Sequence, residues 1–214
     1  MNDRIIMVIM LERESKFSLS RAQYYEIKDY FSSKKRYRKF SVIKIDEQTL
    51  ESKYYDTRES NLMKEDASLR IRKSEDLFYV SFKKKKPSSK NVNVMEENEL
   101  LLRNEPKIDD MKLEPLSLAR QIAGERELMN IANLKIQRSL FYFKQDEILF
   151  EMSLDAVHVS SPRDHDFFEL EIELKKGAIK SLEEFARNIA ADFALIMNNS
   201  TKIEKALDIK EEEE

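Results

Sequence analysis

Side chains two positions apart on an extended chain share a face, and this sequence repeatedly places charge at that spacing. Glu12, Glu14 and Lys16 share one face, and Arg70 and Arg72 share another with Leu69 and Ile71 opposite. Ser81, Lys83 and Lys85 follow the same rule. Glu151, Ser153 and Asp155 alternate with Met152 and Leu154, and Glu169, Glu171 and Glu173 alternate with Leu170, Ile172 and Leu174. A single strand of this kind is ordinarily amphipathic, with its charges in water. The set says more, because several segments carry only basic residues and others only acidic ones. Like charges 4 Å apart repel by roughly 4 kcal/mol at an effective dielectric near 20. Enclosed in a barrel, the acidic strands require cations and the basic strands require an anion. A divalent metal bound to a polyphosphate satisfies both demands.

The composition narrows the means. The chain has 214 residues, with 38 Lys and Arg against 41 Asp and Glu, and a net charge of −3. So even a balance does not make a general polyanion binder, and any phosphate-binding charge must be gathered in one place. There are 2 glycines, too few for the Gly-rich phosphate loops of P-loop and Rossmann proteins. The grip must come from side chains. Cysteine is absent, which excludes disulfides, thiolate zinc sites and cysteine nucleophiles. The apolar run from Ile5 to Leu11 is too short to span a bilayer, and without a small-residue cleavage site it does not read as a signal peptide. The expected compartment is the cytoplasm, with no membrane partner.

The elements that must position these charges are mostly strands. One runs from Ile5 to Phe17. Others are expected at Phe40–Asp46, Lys53–Asp56, Ser68–Lys73, Leu77–Lys84, Asn91–Leu102, Lys135–Lys144, Ile148–His158 and Phe167–Lys175. Ser20 with Gln23 forms a capping box ahead of Tyr24, Ile27 and Phe31 at helical spacing. A second helix is predicted from Leu116 to Asn130. A third is capped by Ser181 with Glu184, and a short one spans Ile203–Leu207. His158 and His165 fall in or beside a loop and read as structural, and Lys34–Lys39 reads as a solvated basic turn. Strands neighbouring in sequence, with helices between, point to an α+β fold, a closed antiparallel barrel with helices packed outside. Residues 1–209 are read as one domain, and 210–214 as an acidic, disordered tail.

These segments resemble a family. Glu12-Arg13-Glu14-Ser15-Lys16 is similar to the ExExK signature of the CYTH family, the triphosphate tunnel metalloenzymes. Tyr54-Tyr55-Asp56-Thr57, Ser68-Leu69-Arg70-Ile71-Arg72 and Phe78–Lys83 resemble its next conserved stretches. So do Phe168–Leu174 and Ser200-Thr201-Lys202, in the same order. The late segments, with Ser153-Leu154-Asp155 and a Glu strand followed by Lys-Lys-Gly, resemble the inorganic triphosphatase branch. Two departures stand out. The middle strand, Asn93–Glu99, lacks the family's Arg, and Glu97 with Glu99 is its expected inward pair. Arg138 has Ile136 where the family has a second basic residue, since Lys135 faces the other way.

The resemblance implies an eight-stranded barrel with a triphosphate tunnel. Lys16, Arg70, Arg72, Lys83, Arg138 and Lys202 would contact the phosphates of a triphosphate-bearing small molecule. Glu12, Glu14, Glu171 and Glu173 would hold Mg²⁺ or Mn²⁺. Glu169, Glu151 or Asp155 would serve as a base, and spacing does not choose among them. Tripolyphosphate hydrolysis is the expected reaction. A class IV adenylyl cyclase and a non-catalytic polyphosphate or nucleotide sensor are the alternatives, with thiamine triphosphate and RNA 5′-triphosphate open as substrates. No specific nucleic-acid partner is expected, and oligomeric state is not visible.

Overall fold

The structure, a computed structural model, describes residues 4–88 and 92–207. The expected tail at 210–214 and the domain boundary at 209 lie outside the described residues. The chain begins with β1 (Arg4–Leu19), α1 (Arg21–Ser33), β2 (Arg36–Tyr37), β3 (Phe40–Asp56) and α2 (Asn61–Lys64). The strands β4 (Ala67–Ser74), β5 (Leu77–Lys86) and β6 (Asn93–Leu102) follow, then α3 (Glu114–Ala123). The second half holds β7 (Met129–Gln145), β8 (Ile148–Ser161), β9 (His165–Lys176), α4 (Ile179–Asp192), β10 (Ile196–Met197) and α5 (Lys202–Ala206).

Eight strands close an antiparallel barrel in the order β1-β6-β5-β4-β3-β7-β8-β9, and β9 returns to β1. The short β2 and β10 pair with β3 and β1 outside this ring. Two four-stranded sheets, β4-β5-β6-β1 and β3-β7-β8-β9, meet at two seams. One pairs Glu14–Leu19 with Phe168–Glu173. The other pairs Leu50–Tyr55 with Leu69–Ser74. Beyond each seam one strand runs on alone: Arg4–Arg13 of β1 pairs only with β6, and Phe40–Thr49 of β3 has no partner in β4.

The alternation in the strands decides which face is the core. The apolar face turns outward, under helices. Phe141, Phe143, Phe150, Met152, Leu154, Leu170 and Ile172 pack against Ile27 and Phe31 of α1 and Leu182, Phe185 and Ile189 of α4. On the other sheet, Leu69, Ile71, Val80, Phe82 and Leu100 pack against Leu116, Ala119 and Ala123 of α3. Burial of such side chains contributes roughly 1.5–3 kcal/mol each, and this locks the opposite, charged faces inward. A third apolar cluster lies inside the barrel, where Ile203 and Ala206 of α5 meet Leu50, Leu134, Ile136 and Val157. Among the described residues no helix is long and apolar enough to cross a membrane.

Several boundaries differ from the sequence expectation. The two expected strands at Phe40–Asp46 and Lys53–Asp56 are one strand, β3. The helix expected to reach Asn130 stops at Ala123, because Gly124 takes φ 62° and its N–H bonds back to Arg120 O. The Ser20–Gln23 capping box forms as expected, whereas Ser181 lies inside α4, whose N-cap is Ala178. His158 lies on β8, as the expected strand Ile148–His158 has it, and His165 is the first residue of β9, two residues earlier than the expected start at Phe167.

Candidate active site

The inward faces enclose a cavity of about 220 Å³. Its lining includes all of Glu12, Glu14, Lys16, Arg70, Arg72, Lys83, Arg138, Glu151, Glu171, Glu173 and Lys202. Glu97 and Glu99, the expected inward pair of β6, also line it. Asp155 and Glu169 do not: both are fully buried behind the wall.

Along β1 and its neighbours the charges interlock. Lys83 reaches across the sheet to Glu12 and lies 3.3 Å from Glu97. Burial pushes the Glu12 carboxyl up, but Lys83, a hydrogen bond with Glu97 and the charge of Lys16 hold it down at about 2. Glu97 moves the opposite way, because burial and the adjacent Glu12 push it up to about 7. Lys16 is 2.9 Å from both Glu14 and Glu171, which joins β1 to β9 across the seam. Burial, Glu171 and Glu12 push the Glu14 carboxyl up despite Lys16.

The arginines differ in how their charge is answered. Arg138 makes a bidentate pair with Asp155 at 2.8 and 2.6 Å, the strong fork geometry of a guanidinium on a carboxylate. Arg70 donates to Ser81 Oγ at 3.2 Å and lies 3.6 Å from Glu97. Arg72 donates to Ser52 Oγ at 3.2 Å and has no ion-pair partner among the described residues. Burial, with Arg70 and Arg138 nearby, pushes its guanidinium down from the usual range. A shielded guanidinium that meets only a hydroxyl is a ready anion ligand.

Behind the wall lies a second network. Thr201 caps α5 through a capping box with Glu204. Lys202 then points inward, 3.0 Å from Asp155, 2.9 Å from Glu171 and in contact with Glu169. Lys205 adds a contact to Glu169 at 2.8 Å. Asp155, Glu169 and Glu171 bring oxygens within 4.8 Å of one another, the spacing of a metal-binding trio. Arg138, Lys202 and Lys205 tie up Asp155 and Glu169 behind the wall, so these two fasten α5 and the arginine, while Glu171 also faces the cavity. The donors that fit a metal are on the cavity surface. Burial and the neighbouring Glu12 and Glu151 push the Glu173 carboxyl up to about 7, even with Lys175 beside it. Glu97 Oε1 is buried without a hydrogen-bond partner. Crowded carboxylate oxygens short of positive charge are the hard donors that Mg²⁺ and Mn²⁺ prefer.

Glu151 lies at the cavity surface, and Tyr142 is its register partner across β7–β8. Tyr142 and Lys175 were not among the expected site residues. Lys175 could have been found, since it continues the alternation Glu169, Glu171, Glu173. Asp56 of the Tyr-Tyr-Asp-Thr segment has a structural task. It is buried and accepts hydrogen bonds from the N–H groups of Thr57, Leu62 and Met63 at 2.6, 2.9 and 3.1 Å.

Fold and site together define a β-barrel tunnel protein whose interior answers an anion with fixed cations and a cation with fixed carboxylates. The CYTH domain model matches residues 10–206, and the chain belongs to the CYTH domain family. Comparison with curated proteins gives no match. Among solved structures, a candidate adenylate cyclase from Bacillus halodurans is 18% identical, with a TM-score of 0.62 over 92% of this chain and 97% of that one. A candidate adenylyl cyclase from Hippeastrum, HpAC1, described as having a dominant triphosphatase activity, is 16% identical, with a TM-score of 0.62 over 92% and 95%. The PH1819 protein from Pyrococcus horikoshii is 16% identical, with a TM-score of 0.56 over 93% and 99%. At these identities the likeness is one of fold.

Proposed function

We propose that this protein is a divalent-metal-dependent triphosphatase that hydrolyses tripolyphosphate to pyrophosphate and phosphate. The observation that carries this reading is the gathering of seven basic side chains and seven carboxylates around one cavity of about 220 Å³. Arg72 and Arg70 would grip phosphate oxygens with planar forks, and Lys16, Lys83 and Lys202 would add point charges. Arg138, held rigid by Asp155, would present its free edge. Glu12, Glu14, Glu171 and Glu173 would hold Mg²⁺ or Mn²⁺. Such an ion, when bound, neutralises phosphate charge and makes a bound water more acidic.

Of the three carboxylates expected as the base, Glu151 is the one on the cavity surface, and it takes that role here. Tyr142, its partner across β7–β8, would help to orient it. Asp155 and Glu169 are then supports, which hold Arg138 and Lys202 in place. Hydrolysis of a triphosphate whose ends carry no base or sugar suits a lining in which most polar groups are charged. A cyclase must also fix a ribose in line with the α-phosphate, and among the described residues of the lining no set of groups is dedicated to that.

The test is product analysis with purified protein and Mg²⁺ or Mn²⁺, using tripolyphosphate, ATP and thiamine triphosphate as substrates. Metal-dependent phosphate release, fastest from tripolyphosphate, is the expected result. Abundant cyclic AMP from ATP with little tripolyphosphate turnover would assign the chain as a cyclase instead.

A further inference from the structure

The tunnel mouth holds a cation that the proposed chemistry does not use. Lys175 is the residue beyond Glu173 on the inward face of β9. The alternation of β9 puts it there, at a β-bulge. Phe150 pairs with Leu174 and Leu149 with Lys176, so Lys175 is the extra residue of β9 at that step. Bulges recur beside active sites. The two consecutive lysines point in opposite directions, as neighbours on a strand do. Lys176 points outward to Glu147. Lys175 points into the mouth, 2.8 Å from Glu173 and 3.8 Å from Glu151, and lines the cavity.

We propose that Lys175 is a tethered counter-ion that occupies the outer carboxylate pair, Glu173 and Glu151, until a divalent cation displaces it. The inference rests on the metal-binding reading above and deepens it. Glu173 is a proposed metal ligand, and its carboxylate cannot give the same oxygens to an ammonium and to a metal ion at full strength. The Lys175 side chain is 33% exposed, against 10% for Lys16 and 6% for Lys202. Lys175 therefore has solvent to swing into, while the deeper lysines are fixed. Its flexible stem makes the exchange inexpensive, and the vacated ammonium remains at the mouth, where an entering phosphate would meet it.

The consequence is a competition that can be measured without turnover. Mn²⁺ alone is titrated into metal-free protein, followed by calorimetry and by the electron paramagnetic resonance signal of free Mn²⁺. Lys175→Gln and Lys175→Met should both bind Mn²⁺ more tightly than wild type, by about tenfold for loss of one partly exposed competing charge. Lys175→Arg should restore the wild-type affinity. Lys176→Gln is the control for net charge and should change little. Unchanged or weaker Mn²⁺ binding in both neutral variants overturns the proposal, as does equal tightening by Lys176→Gln. If wild type and all variants fail to bind Mn²⁺, the metal reading itself falls and takes this inference with it.

Discussion

Arg72 and Arg138 show how two like residues in one tunnel can have different tasks. Arg138 spends its fork on Asp155, which is fully buried. Removing one partner of such a pair leaves a buried charge and costs about 3–5 kcal/mol. Arg72 meets only Ser52 Oγ, so its charge is available to a ligand. Arg72→Ala should therefore weaken tripolyphosphate binding by roughly 1.5–3 kcal/mol, the worth of a charged hydrogen bond, with little loss of stability. Arg138→Ala should lower the unfolding midpoint first. Calorimetric titration and chemical denaturation of both variants separate the two roles, and equal behaviour would refute the distinction. The inward cations were legible in the sequence because alternation assigns a face. Their pairing was not, because Asp155 and Arg138 meet only through the β7–β8 register.

At the scale of elements, the family-like segments divide into those that touch the cavity and those that build it. Asp56 ends β3 and satisfies three backbone N–H groups at the turn into α2. Asp56→Ala would leave those donors unpaired in a buried turn, at a cost of roughly 1–3 kcal/mol for each group not reached by water. The expected outcome is a lower melting temperature with the metal requirement intact at permissive temperature. Loss of metal dependence without loss of stability would place Asp56 in the chemistry instead. The regular strands were legible, as β9 is, wherever apolar and charged residues alternate. β3 was not, because its middle, Lys44–Thr49, is largely exposed and lacks an apolar period. The end of α3 was missed because Glu125–Glu127 continue a helix-compatible composition. Only the positive φ of Gly124 and the pull of β7 stop it there.

Across the whole molecule the charged interior sets a pH dependence. The Glu97 and Glu173 carboxyls titrate near 7 instead of their usual 4.5. Between those values the folded protein holds protons that the unfolded chain has lost, so metal-free stability falls as pH rises through that window and then levels off. Glu12, held at about 2, acts oppositely: its contribution is present above 4.5 and is lost as pH falls towards 2. Metal-free protein should melt at a lower temperature at pH 7.5 than at pH 5.5. Glu97→Gln should reduce that difference, and added Mn²⁺ should raise the pH 7.5 value. Melting curves recorded with a chelator and with Mn²⁺ check this, and a rise in metal-free stability across the window would contradict the assignment.

The two seams that close the barrel also impose an order on its making. β1 is synthesised first, yet its partners β6 and β9 begin only at Asn93 and His165. Until β6 emerges, the apolar run Ile6–Leu11, which pairs with β6 alone, has both edges open, and even in the finished barrel much of it stays exposed. Contacts so distant in sequence carry a high closure entropy and form slowly. Until Asn93–Leu102 has been made and freed, this protein therefore presents an unpaired apolar strand, the kind of segment that pairs wrongly with other chains.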